Sequence, residues 1–140
     1  MDTFGYKLVF LLHIASIVVA FAPVVVGLLP GDGAATTTLR AAGRTIYAPA
    51  LILAGLFGIV LIVLSDEVWE FSDLWITLAF LVWIAMNGVF HALILPQLTG
   101  RGSRGGRGGS STAVDLERAT QILTVLFVVM LWLMIWKPGA

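Results

Sequence analysis

The chain has 140 residues, of which 59% are hydrophobic and only 11% charged, and its eight basic side chains balance eight acidic ones. At a mean hydropathy of +1.02 there is too little polar surface to keep a soluble domain of this size in water, so a bilayer is the expected solvent. Cysteine is absent, which excludes disulfides, zinc–thiolate sites and cysteine-ligated clusters.

Apolar runs at 6–29, 46–64, 74–98 and 116–136 each approach or exceed the roughly 20 residues that cross a hydrocarbon core. They predict an all-α fold, a single-domain bundle of four transmembrane helices. In the first run, Ala20-Phe21-Ala22 mimics a signal-peptide cleavage site. A basic n-region is missing, the apolar run continues and Pro23 would follow the cut, so a retained span is expected. Pro23 should kink it and leave the Val19 carbonyl without its helical partner. A Gly31-Asp32-Gly33 turn then leads through a short amphipathic stretch to Arg44 and the second span, where Pro49 near the start costs little. Asp66, Glu67, Glu70 and Asp73 form an acidic loop before the third span, a solvated connection rather than a cation site. Residues 100–111 are a flexible Gly/Arg linker. Its composition is similar to RNA-binding arginine–glycine segments. Tethered to a membrane, Arg101, Arg104 and Arg107 are instead expected to meet anionic lipid head groups, with no nucleic acid as partner.

Charge orients the bundle. Arg40, Arg44, Arg101, Arg104, Arg107 and Arg118 flank the first and third loops, whereas the opposite side carries only Lys7 and Lys137 beside the acidic loop. The positive-inside rule places the arginine loops in the cytoplasm and both termini outside, and Tyr6, Trp69, Trp75, Trp132 and Trp136 fall at the matching outer interface. Small residues at four-residue spacing predict close packing: Ala50, Ala54 and Gly58 on span two, Ser16 and Ala20 on span one, Gly88 and Ala92 on span three.

Two titratable side chains lie well inside the spans, His13 and His91, and such groups are the first place to look for function. Asn87 and His91 share a face of span three, one turn apart. With Gln121 and Thr124 of span four they are expected to form an inner-leaflet polar cluster, with Arg44 near its mouth, either tying helices together or contacting a ligand. His13 lies about 10 Å from the outer end of span one, with Met130 at similar depth on span four. A histidine faced by a methionine is a donor set for haem, although methionine is also ordinary packing material. The two histidines differ in depth by roughly 15 Å and should not share one iron. P-loop, dinucleotide, HExxH and Ser-His-Asp patterns are missing from the spans, as are the carboxylates that a two-histidine metal site would need.

Three segments carry a family resemblance: Lys7-Leu-Val-Phe-Leu-Leu-His13, the stretch from Arg44 to Gly58, and Trp132-Leu-Met-Ile-Trp-Lys-Pro-Gly139. The chain resembles a bacterial group of predicted integral membrane proteins, domain-of-unknown-function family 2269, itself distantly similar to CopD and to HemJ. In the HemJ pattern a first-span histidine and a basic residue before the next span are linked to haem b and porphyrin. His13 and Arg44 match those positions, which implies haem b on His13 with Arg44 near a propionate. The longer basic stretch and much of the polar set of HemJ are missing, so its enzyme activity is not implied.

With no complete catalytic set, the expected function is a small non-catalytic accessory or structural subunit of the bacterial inner (plasma) membrane, held with other membrane subunits or as a homo-oligomer. The alternative is a haem b-binding redox protein of HemJ-like or CopD-like type. A small transporter is the third reading, set back by the lack of buried acids and broken-helix pairs.

Overall fold

The computed structural model describes residues 3–27, 34–65, 71–98 and 111–138. Every regular element among them is helical. Helix α1 is Thr3–Gly27. Helix α2 joins Ala34–Ala42, a π-helical turn at Gly43–Tyr47 and Ala48–Val63. Helix α3 joins Leu74–Val89, a second π turn at Phe90–Ile94 and Leu95–Leu98, and α4 is Ser111–Trp136. Each contains a stretch long and apolar enough to cross a membrane: Phe4–Val26, Thr37–Val63, Leu74–Leu98 and Leu116–Trp136. Apolar side chains surround every helix, and Leu11, Val18, Leu81, Ile84, Val125 and Ile135 are exposed on the outside of the bundle. That surface suits lipid rather than water.

Three expectations need correction. The second span is longer than 46–64, because the stretch carrying Arg40 and Arg44 continues the same helix through the π turn rather than standing apart from it. Alanine-rich sequence from Ala34 to Ala42 favours helix, and a π turn lets one helix absorb a register change without breaking. The third span also carries a π turn, so two spans contain helical irregularities that the sequence did not reveal. Finally, Gly88 and Ala92 do not face the bundle interior. Both are exposed, and a Cβ added at Gly88 would meet nothing within 4 Å. Helix α1 continues through a buried Pro23 to Gly27. Asp66, Glu67, Glu70, Trp69 and most of the Gly/Arg linker lie outside the described residues.

The helices pack as two pairs, α1 along α2 and α3 along α4, and the main buried cluster between them sits towards the end that carries Arg40, Arg44 and Arg118. The core lies there. Phe21 and Val24 of α1, Leu39, Tyr47 and Leu51 of α2, Met86, Phe90 and Ile94 of α3, and Leu116 and Leu123 of α4 form one buried cluster. Phe21 stacks on Phe127 with ring centroids 3.9 Å apart, closing that core towards the middle of the bundle. At the far end, α4 stops as Lys137 takes a left-handed backbone (φ 42) and Pro138 follows, a combination that cannot continue a helix.

In an apolar solvent the transfer term of a core truncation shrinks and the cavity term remains. Phe90→Ala is therefore expected to cost about 2–3 kcal/mol. Its thermal unfolding midpoint in mild detergent should fall clearly, while truncation of the exposed Ile84 leaves the midpoint unchanged.

Candidate functional site

The half of the bundle away from the core is hollow. A cavity of about 450 Å³ lies between all four helices, inside the size range of small-molecule sites. Its lining runs along one face of each helix, from Phe21, Leu51, Met86 and Phe127 at the floor to Tyr6, Ile62, Trp75 and Lys137 at the mouth. The eleven steps from Leu51 to Ile62 span about 16 Å of helix rise. Small residues leave the space open: Ala54, Gly55 and Gly58 on α2 and Ala79 on α3 all line it.

Two ring side chains reach into this region and bind α2. The Nδ1–H of His13 donates to the Ala54 carbonyl at 2.7 Å, and the Nε1–H of Trp83 donates to the Leu51 carbonyl at 2.9 Å. Both acceptors already receive a helical N–H, from Gly58 and Gly55 respectively, and use a second lone pair. A side chain four residues on overhangs a helical carbonyl, because each Cβ tilts towards the N-terminus. Glycine at both of those positions removes the overhang. A Cβ at Gly58 would sit 3.3 Å from Cε1 of His13, and one at Gly55 would run into the Trp83 indole. The Gly55 and Gly58 positions therefore admit the two rings to the carbonyls.

A carbonyl only accepts, so Nδ1 of His13 must carry the hydrogen. In the neutral ring, Nε2 is then an acceptor, and it makes no hydrogen bond among the described residues. Met130 lines the same cavity. Arg44 does not: it is exposed on the π turn of α2, ten residues before Ala54 or about 15 Å along the helix. Its expected place beside a propionate does not fit this geometry. The cation at the cavity is Lys137, whose ammonium lies 5.4 Å from the centre of the Trp75 ring.

The expected polar cluster is arranged differently. His91 bonds through Nδ1 to the Asn87 carbonyl (3.0 Å), and the Asn87 amide donates to the Trp83 carbonyl (2.9 Å). Thr124 donates to the Thr120 carbonyl (2.8 Å), and the exposed Gln121 reaches Glu117 at 3.4 Å. All four bonds stay on their own helices, because a carbonyl or side chain one turn away is the nearest partner and requires no close helix approach. Asn87 and His91 meet; Gln121 and Thr124 are not bonded to them. Ala50, Ala54, Ser16 and Ala20 are buried as the small-residue stripes implied. Trp83 and Gly55 were not singled out in the sequence, where Lys137 counted only as an outer-side charge and part of the chain's ending; the Gly55/Gly58 spacing was the available signal.

Among the described residues, no group of three histidine, aspartate or glutamate side chains could hold a metal ion. Comparison with protein-family models, with curated proteins and with solved structures finds no match for this chain.

Gly55→Ala should displace the Trp83 indole and break its hydrogen bond to Leu51, lowering the unfolding midpoint in detergent. Gly88→Ala has open space and gains up to about 1 kcal/mol of helix propensity, so its midpoint should hold or rise. Equal behaviour of the two variants would contradict the close approach at Gly55.

Proposed function

We propose that this chain is a small non-catalytic, multi-pass protein of the bacterial plasma membrane, with both termini outside. Its role is that of an accessory subunit that holds an apolar small molecule in the cavity around His13. The observation that supports this most directly is the state of that side chain: Nδ1 is anchored on the Ala54 carbonyl, Nε2 is left over, and the surrounding walls are apolar. A histidine needed only to join α1 to α2 would not require a cavity of about 450 Å³ beside it.

Haem b is the second reading, favoured by the donor set. A histidine that ligates a metal through one nitrogen commonly donates the other N–H to a backbone carbonyl, and His13 does so. His13 would hold haem through Nε2, Met130 in the same lining is a candidate second ligand, and Lys137 is the nearby cation for a propionate. Bound there, haem would supply one-electron chemistry. The chain's own part would be to orient the ring of His13 on Gly58 and to exclude water with Phe10, Phe80, Trp83 and Phe127.

Purification in mild detergent after expression with a haem precursor tests both readings. An organic extract analysed by mass spectrometry should contain a small molecule that is lost in His13→Ala, and a Soret band lost in the same variant would identify it as haem. Absence of any His13-dependent compound or colour would leave only the structural role.

A further inference from the structure

The lining of the cavity and its polar content narrow the ligand class. The cavity holds about 450 Å³, and its lining on α2 spans about 16 Å of helix rise. Its walls around His13 are aromatic and thioether, with Phe10, Phe80, Trp83 and Met130 above Phe127 at the floor. Such surfaces favour a flat ring through offset stacking and sulfur–aromatic contact. At this depth the Trp83 N–H is committed to Leu51, which leaves Nε2 of His13 as the polar atom a ligand can engage. Nε2 lies on a side chain about 10 Å below Tyr6 at the mouth. In the neutral ring it accepts a hydrogen bond and cannot give one.

Accepting the cavity as a ligand site, we infer that it takes a ring-bearing apolar molecule with a hydroxyl donor, of the membrane quinol class. The phenolic O–H donates to Nε2 of His13, the ring lies among Phe80, Trp83 and Phe127, and the tail leaves past Tyr6 and Trp75. The tail needs no polar partner, and towards the mouth the cavity offers it Leu61 and Ile76. A tetrapyrrole, by contrast, brings two anionic groups, and the described lining offers them Lys137 as its cation. A molecule without a donor would leave Nε2 buried and unpaired, which is costly in an apolar setting.

The test uses the full chain in detergent and three probes: decylubiquinol, its dimethyl ether, and haem. Binding is read from quenching of indole fluorescence and, for haem, from absorption. The quinol should bind at least about tenfold more tightly than the ether, the usual scale of one lost hydrogen bond to a buried group. His13→Phe should abolish that preference. His13→Gln should keep it within a few-fold, because an amide can donate to the Ala54 carbonyl and still present an oxygen acceptor. If His13→Phe fails to fold, the comparison of quinol with ether on the unaltered chain still decides the matter. Equal affinity for quinol and ether would overturn the donor assignment and leave the cavity's role as a ligand site standing. Haem binding that is lost in His13→Gln, with no competition by the quinol, would overturn it in favour of the tetrapyrrole. Failure of all three probes to bind would overturn both the inference and the reading beneath it.

Discussion

The arrangement of this protein depends on two side-chain hydrogen bonds to backbone carbonyls of one helix, His13 to Ala54 and Trp83 to Leu51. Each works because a glycine four residues further along, Gly58 or Gly55, uncovers the acceptor. Between helices immersed in hydrocarbon there is no hydrophobic drive to associate, so such bonds and close backbone approach must supply the specificity. One bond ties α1 to α2 and the other ties α3 to α2. Helix α2 is therefore the member against which the positions of the others are set.

The same glycines explain why the bundle is solid at one end and hollow at the other. Near the arginine loops, Phe90, Met86, Leu39, Tyr47 and Leu123 fill the space between helices and form a continuous core. Beyond Phe21 and Phe127, the facing positions on α2 and α3 are Ala54, Gly55, Gly58 and Ala79. The rings of His13 and Trp83 occupy part of the volume these small residues vacate, and the rest remains as cavity. Interiors normally close such space. The hollow that remains carries the His13 acceptor nitrogen in its lining, the feature on which the proposed ligand site rests. Two π turns lie within the solid half, at Gly43–Tyr47 and Phe90–Ile94, where they adjust the register of α2 and α3 against the core.

The polar residues of the other half illustrate a different outcome. Asn87, His91, Gln121 and Thr124 had the right residue types and spacing for a network between helices. Their partners lie on their own helices, backbone carbonyls for three of them and the Glu117 side chain for Gln121. A side chain with an acceptor one turn away is satisfied locally, whereas a bond to another helix forms only where the two backbones come close. Glycine supplied that closeness beside His13 and nothing supplied it beside His91, so histidines alike in sequence context differ in what they can do.

The four long helices were legible from composition and run length alone, because each apolar run must satisfy its own backbone hydrogen bonds and helix is the solution available to a single segment. His13 and Met130 were legible as polar and polarisable groups at similar depth, and the small-residue stripe of α2 as a packing face. The continuous second helix, the outward turn of Gly88 and Ala92 and the own-helix bonds of Asn87 and His91 depended on how the helices rotate about their axes, which nearly uniform apolar sequence does not specify. Tertiary structure alone decided that Trp83 would fill the Gly55 position, that Lys137 and not Arg44 would stand at the cavity, and that Nδ1 of His13 would be taken while Nε2 was left. Those outcomes follow from which faces meet, and only the assembled bundle determines that.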